Sequence, residues 1–329
     1  MPFAYCHVMI IMLDRIISDP KISLKMHVRA ELHCHNSFSN FHVGHDEPPY
    51  DCDILIRDQL ERSHALGLDA IFVTNHNTLD GYNQMLDYKN NHERFNSIHV
   101  YPAEEITTDT GAHILAYGIH EAIKPDMPID DVIDQVKDQG GVSSAPHPFS
   151  LLDALRQDAK KCDMIEVFNS NNIDVLSNAR ATLFAMENNM IQVAGSDSHV
   201  LSTLGRCVNV IESENSLDDI LYSMKHGMIT ISHTGYALQN ETLEHLKYKI
   251  NNSKEYLVEY ISEHYPNAKW LLMLLLRIYE KNQDSRLWHL FYKFAIYLMR
   301  RISQKINFQY HDPEFMKERS LGTMFRMAL

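Results

Sequence analysis

The sequence predicts an α/β fold in which a parallel sheet is covered by helices, as either a barrel or a doubly wound sheet. Short β-type runs alternate with helix-type runs from about residue 27 to 235, and chemically active polar residues follow the strands one after another. The strand candidates are Val28–His33, Ala70–Thr74, Ile98–Tyr101, His113–Gly118, Gly141–Ala145, Met164–Phe168, Ile191–Ala194 and Cys207–Ile211. The helical patterns lie near residues 54–66, 79–90, 129–139, 150–160, 173–189 and 216–226.

The pattern changes near residue 240, where glycine becomes rare and long helical stretches follow at 241–264, 266–281 and 285–305. We therefore divide the chain into an N-terminal extension (1–26), a β/α unit (27–239) and an α-helical C-terminal region (240–329). Residues 286–305 combine Lys and Arg with aromatic side chains and contain no acid. Such a helix suits a partner subunit, a membrane surface or nucleic acid, although simple packing of its apolar side is the better interpretation.

The composition is that of an ordinary globular protein, with 329 residues, 45% hydrophobic and 22% charged. The net charge is −13, and the acidic excess lies before residue 240, which argues against tight, non-specific binding of long nucleic acid. The 5 cysteines are widely spaced without a CxxC pair, so a disulfide framework is not expected. No apolar run is long enough to span a membrane, and we expect a cytoplasmic protein.

Imidazole and carboxylate side chains stand where the strand candidates end. These residues are His33, His35, His76, Glu105, His147, Asp197 and His199. Because alternate residues of a strand face the same side, His33 and His35 can reach one metal ion. The carboxyl ends of parallel strands meet at one face, so the sequence predicts a single site there. Imidazole and carboxylate together are typical ligands of zinc, manganese or iron.

Five motifs follow one another in the chain. They are Glu31–Ser37 (ELHCHNS), Thr74–Thr78 (TNHNT), Pro102–Ile106 (PAEEI), His147–Pro148 (HP) and Gly195–His199 (GSDSH). In this order they resemble the motifs of the PHP family (polymerase and histidinol phosphatase domain), over about residues 27–235. The resemblance implies a distorted seven-stranded β/α barrel and a phosphoesterase that uses a metal-bound hydroxide. Its substrate would be a small phosphorylated metabolite, a nucleotide or a short oligonucleotide end.

The resemblance also implies roles for the candidate residues. The ligands would be His33, His35 and Asp197 for the first metal, Glu105 as a bridge from the first metal to the second, His147 for the second, and His76 and His199 for the third. Glu105, Asp197 and His199 would also be the catalytic residues, with Glu104 the weaker choice for the bridge. The expected cofactors are two to three divalent ions per chain, whether manganese, zinc or iron.

The chain departs from the family pattern in two places. Where the family has an acidic residue or a histidine after the HxH motif, this chain has Asn40, and the open replacements are His42, His45 and Asp46. The Thr-Asp-His of the family becomes Thr74-Asn75-His76, which removes a charge that could orient the histidine. A further ligand of the second metal is expected after the sixth strand, with Asn169 and Asp174 as the open candidates.

Other features have simpler explanations. His113 fits a satisfied histidine at the core or its rim better than a ligand. Arg206 fits a surface ion pair at least as well as a phosphate contact. Two alternative functions stay open. One is an amidohydrolase-like enzyme that cleaves C–N or ester bonds, although no lysine stands at a strand end to bridge its metals. The other is a degenerate metal-binding scaffold.

Overall fold

A single mixed sheet forms the centre of the molecule. The computed structural model describes residues 26–44, 47–313 and 321–328, so the predicted extension 1–26 lies outside the described residues except for Met26. The strands are β1 (His27–Cys34), β2 (Ala70–Val73), β3 (His99–Thr107), β4 (His113–Tyr117), β5 (Val142–Ala145), β6 (Met164–Asn169), β7 (Ile191–Gly195), β8 (Val208–Glu212) and β9 (Ile229–His233). The expected count of seven strands is therefore wrong, since the described part of the chain contains nine, and β9 was not predicted at all.

The sheet is not purely parallel, which corrects a second expectation. Its order is β7-β6-β5-β4-β3-β2-β1-β8-β9. The pairs β1–β2, β2–β3, β5–β6 and β6–β7 are parallel, whereas β4 and β8 run antiparallel to both of their neighbours. For β4 the reason is local, because the short connection after β3 can close only an antiparallel hairpin, and a parallel pair needs a crossover of a dozen residues or more.

The sheet curls until its β7 end lies against β1, which makes it nearly a closed barrel. The amide of Asp197 donates to the carbonyl of His33 at 2.7 Å, and the amide of His35 donates to the carbonyl of Ser198 at 3.1 Å. Inside, Leu32, Phe72 and Tyr117 are fully buried in one apolar cluster. A sheet that closes in this way brings the residues after β7 beside the end of β1, where the site lies.

The helices cover the sheet and then form the C-terminal region. They are α1 (Ile56–Ala65), α2 (Asp80–Asn90), α3 (Ile129–Asp138), α4 (Leu176–Asn188), α5 (Leu217–Lys225), α6 (Gln239–Asn252), α7 (Lys254–His264), α8 (Lys269–Lys281), α9 (Arg286–Phe308) and α10 (Leu321–Ala328). Two helix predictions are corrected. The pattern at 150–160 gives only a 3-10 turn at Arg156–Lys161, and the stretch 241–264 breaks at Ser253 into α6 and α7.

The C-terminal region is attached to the barrel by specific contacts. Ile302 and Ile306 of α9 are buried in a small apolar cluster with Ala328 of α10. The side chain of Asn307 donates to the carbonyl of Phe149 at 3.0 Å. Part of the aromatic segment 286–305 stays exposed, and the partner of that segment remains a prediction. Within the described residues, no helix combines the length and apolar character that crossing a membrane requires.

Candidate metal centre

The residues singled out in the sequence meet at one end of the barrel. His33 and His35 lie at and just beyond the end of β1, and the loops after β2, β5 and β7 bring the other candidates beside them. The relative exposures are 0% for His33 and His35, 1% for Glu105, 8% for Asp197 and 9% for His147. Because buried polar groups need partners, such a cluster is costly unless its members bind one another or a cation.

Glu105, near the end of β3, turns its two carboxylate oxygens toward different imidazoles. Oε2 lies 3.2 Å from Nε2 of His35 and 3.3 Å from Nε2 of His33. Oε1 lies 3.0 Å from Nδ1 of His113 and 3.1 Å from Nε2 of His147. One carboxylate therefore faces two groups of nitrogen donors, which is the arrangement that a bridge between two cations requires.

The first group contains His33, His35, Glu105 and Asp197, whose donor atoms lie within 4.8 Å of one another. Oδ1 of Asp197 lies 3.5 Å from Nε2 of His33 and 3.4 Å from Nε2 of His35. Ligands held ~2.0–2.2 Å from one ion are separated by about this range. The group therefore has the size and donor chemistry of a metal site.

A buried carboxylate outside this group orients His33. Oε1 of Glu166, on β6, lies 2.8 Å from Nδ1 of His33, which leaves Nε2 to face Glu105 and Asp197. Such carboxylate–histidine pairs fix the ring and its tautomer around protein-bound metals. Gly195 makes room for the pair, because a Cβ there would lie 1.9 Å from Oε1 of Glu166 and 2.7 Å from Cβ of His33. Sequence reasoning missed Glu166, which has no motif around it.

The second group, around Oε1 of Glu105, contains His147 and also His113, which the sequence left as a core or rim residue. His113 is buried and lies against Oε1 of Glu105 beside His147. Of the open candidates for this position, Asn169 lies beside the first group and Asp174 lies at the start of α4. Asn169 donates to Oε2 of Glu166 and Oδ2 of Asp197, and Asp174 accepts from Ser177 at the start of α4. Because β4 is antiparallel, its N-terminal end reaches the face where its neighbours' carboxyl ends lie.

The third group contains His35, His76, His199 and a residue that the sequence did not suggest, Asp51. Oδ2 of Asp51 lies 3.2 Å from Nε2 of His199 and 3.8 Å from Nε2 of His76. Asp51 lies between β1 and α1, 16 residues after His35 in the numbering, where no periodic pattern marks it. In this group Asp51 supplies a carboxylate. The family pattern has an acidic residue or a histidine shortly after the HxH motif, where this chain has Asn40.

Asn40 supports the loop that carries Asp51. Its Oδ1 accepts from the amides of Asp51 at 2.7 Å and Cys52 at 3.0 Å. Of the other open replacements, His42 is exposed, and His45 and Asp46 lie outside the described residues. Asn75 accepts from the amide of Asn36 at 2.9 Å, and in the described part of the chain no hydrogen bond joins its side chain to the ring of His76.

The cluster fits divalent cations because several of its buried donor atoms have no hydrogen-bond partner that would otherwise satisfy them. Among the described residues these include Nε2 of His35, Oδ2 of Asp51, Nδ1 of His76, Nε2 of His113 and Nδ1 of His147. Burial lowers the pKa of His76 to about 3, so its ring is neutral, as a metal ligand must be. Burial opposes the ionisation of Glu105, yet the imidazoles of His33 and His113 hold its pKa well below the usual range.

Two candidate ligands have backbone conformations that L-residues rarely adopt. The φ angle is +30° at His147 and +49° at Asp197. Asp197 is held there by the hydrogen bond that its amide donates to the carbonyl of His33, and the amide of His147 donates to Oε2 of Glu166 at 2.9 Å. Residues in strained conformations persist where the surroundings fix them, and they cluster at functional sites.

Glu104, the neighbour of Glu105 on β3, points away from the site. Its Oε2 accepts from the amide of Ile123 at 2.9 Å, and its buried Oε1 has no hydrogen-bond partner among the described residues. Burial raises the pKa of Glu104 from 4.5 to about 8. The folded protein therefore keeps this carboxyl group neutral at pH 7, where the unfolded chain would ionise it.

Glu104→Gln should consequently change how stability depends on pH. The unfolded carboxyl group ionises near 4.5 and the folded one near 8, so the unmutated protein loses free energy of unfolding as pH rises between these values. The variant should lack this loss, with a difference on the order of 1 kcal/mol or more. Urea unfolding of both proteins at pH 5 and pH 8 measures it. Parallel changes in the two proteins would show that Glu104 ionises normally.

Comparison with known proteins supports the interpretation of the motifs. Residues 175–229 match the family model of the PHP-associated region (PHP_C). The uncharacterized protein MJ1587 of Methanocaldococcus jannaschii is 28% identical over 162 residues, which cover 46% of this chain and 87% of that protein. A second uncharacterized protein of that organism, MJ0417, is 30% identical over 32% of this chain and 48% of its own length.

Solved structures resemble the fold more distantly. PsfC from Pseudomonas syringae has a TM-score of 0.48 at 15% identity, covering 68% of this chain and 98% of its own. The lesion-specific endonuclease PfuEndoQ from Pyrococcus furiosus has a TM-score of 0.47 at 16% identity, covering 63% and 58%. The ordered motifs resemble those of the PHP family, and the segment that matches the PHP-associated model, residues 175–229, contains the last of these motifs.

Proposed function

We propose that this chain is a metal-dependent phosphoesterase that hydrolyses a phosphate mono- or diester. The observation that carries the proposal is the position of Glu105, whose two oxygens face separate groups of imidazoles. A carboxylate so placed can hold two cations a few ångströms apart and offset their repulsion. Divalent cations there would lower the pKa of bound water and neutralise the charge of a phosphate group.

Each residue of the site would have a role that follows from its position. Glu105 would bridge, and Asp197 would bind beside His33 and His35. His199 would bind with Asp51, because its Nδ1 lies 2.9 Å from the carbonyl of Asp197 and its Nε2 faces the carboxylate. The roles of Glu105, Asp197 and His199 as catalytic residues are part of this proposal.

The substrate class within the proposal is a small phosphorylated metabolite, a nucleotide or a short oligonucleotide end. The strongly acidic β/α unit favours a short substrate that binds through the metal ions. A long polyanion would need many Lys and Arg side chains to bind its phosphates. The identity of the metal, whether manganese, zinc or iron, is likewise proposed from donor chemistry alone.

A substrate panel tests the proposal. Phosphomonoesters, dinucleotides and short 5′-phosphorylated oligonucleotides would be assayed with Mn²⁺, Zn²⁺ and Mg²⁺, with the Glu105→Gln variant as the control for contaminating phosphatases. We expect metal-dependent release of phosphate or a phosphorylated product by the unmutated protein. Metal binding without turnover of any phosphate ester would contradict the proposal, and turnover of amides or lactones instead would favour an amidohydrolase.

A further inference from the structure

The first helix of the C-terminal region, α6, lies against the loop that carries Asp51. The imidazole of His245 lies with Nε2 2.8 Å from the carbonyl of Asp51, and its ring stacks on that of His199 with centroids 4.6 Å apart. The side chain of Asn40 donates to the hydroxyl of Tyr248 at 3.0 Å. Because residues one turn apart share a face of a helix, one face of α6 contacts this loop repeatedly.

Lys249, on the same face, contacts the carboxylate of Asp51 directly. Its Nζ lies 3.2 Å from Oδ1 of Asp51, and the lysine side chain is 19% exposed. Oδ2 of the same carboxylate faces His199 and His76, and within the described parts of the chain it has no hydrogen-bond partner. The two oxygens of Asp51 therefore have separate environments, one with the ammonium group of α6 and the other with the imidazoles of the third group.

Among the described residues, Lys249 is the only lysine or arginine that forms an ion pair with a member of the three groups. The preceding lysine on the same helix, Lys247, forms an ion pair with Asp284 on the surface instead. Arg206, which the sequence left open between a surface ion pair and a phosphate contact, forms an ion pair with Glu241 at the start of α6. Lys249 also lies 4.0 Å from Oε2 of Glu47, but its shorter contact is with the carboxylate of Asp51, on which the third group depends.

We propose that Lys249 and His245 are positioning residues through which the C-terminal helix completes the third metal group. Lys249 holds Oδ1 of Asp51 so that Oδ2 faces His76 and His199, and His245 fixes the backbone of Asp51 and the ring of His199. The proposal rests on the metal-binding part of the proposed function. Hydrogen-bond partners of metal ligands commonly contribute ~10–100-fold to metal affinity, because they remove the freedom of the ligand to turn away.

The test measures metal binding without substrate. Metal-free protein would be titrated with Mn²⁺, with free Mn²⁺ followed by electron paramagnetic resonance. In Lys249→Met we expect one ion per chain to bind at least ~10-fold more weakly and the others to bind as before. Lys247→Met, which removes a charge two residues away on the same helix, is the matched control and should leave the isotherm unchanged.

A double substitution tests whether Lys249 acts through Asp51. Asp51→Asn should weaken the same ion, and adding Lys249→Met to Asp51→Asn should weaken it no further. Lys249→Gln, which keeps a donor without the charge, carries the test if the methionine variant does not fold, and it should also weaken that ion.

An isotherm of the folded Lys249 variants that is unchanged or tighter would overturn the proposal, as would additive losses with Asp51→Asn. If the unmutated protein takes up no Mn²⁺, the proposed function fails with it. If the unmutated protein binds Mn²⁺ and substitution of Lys249 does not change the affinity, only this inference fails.

Discussion

Glu105→Gln is expected to lower kcat/KM for a phosphate ester by at least ~100-fold, which corresponds to a loss of about 2.7 kcal/mol of transition-state stabilisation. The substitution keeps the size and shape of the side chain but removes the charge that would be shared by two cations. Two cations a few ångströms apart repel strongly, and a neutral amide cannot offset this repulsion. The measurement is steady-state kinetics on the best substrate of the panel, with circular dichroism to show that the fold is retained.

Glu104→Gln is the matched control for this experiment. The two residues are adjacent on β3, yet Glu104 faces the amide of Ile123 on the other side of the strand. Its effect on kcat/KM should be much smaller, whatever it does to the pH dependence of stability. Comparable losses from the two substitutions would mean that the bridging role has been assigned to the wrong residue.

Removal of the metals should abolish activity, with a loss of at least ~1,000-fold that added Mn²⁺ reverses. It should also lower the thermal unfolding temperature, because ions that bind only the folded protein stabilise it. This stabilisation is about 2.7 kcal/mol per site when the free ion concentration is 100 times the dissociation constant. Activity and calorimetric unfolding would be followed before chelation, after it and after reconstitution. Full activity at a metal content well below one ion per chain would contradict a metal-dependent mechanism.

Much of the site could be predicted because strand patterns carry geometric information. The motifs around His33, His76, Glu105, His147 and Asp197 stand where strands end, and the structure brings these residues together. That part of the prediction needed only the alternation of strand residues and the common face of parallel strand ends. The boundaries 27–239 and 240–329 stay a prediction.

Each residue that the sequence did not predict reaches the site through a feature that local sequence patterns do not encode. His113 lies on an antiparallel strand, whose direction cannot be read from its apolar pattern, so its N-terminal end was not expected at the site. Asp51 lies in a loop without periodicity. Lys249 reaches the site from a helix almost 200 residues farther along the chain (198 in the numbering), and no local pattern records such a contact. The short connection after β3, which forces a hairpin, was the one available signal for His113.

Anomalous scattering from crystals grown with Mn²⁺, measured on both sides of the manganese edge, tests most directly whether Glu105 bridges two cations. We predict one peak ~2.0–2.3 Å from Oε2 of Glu105, shared with His33 and Asp197, and a second near Oε1, shared with His113. Peaks that lie away from this cluster, or a Glu105 that contacts no ion or only one while metal-dependent activity is intact, would contradict the account.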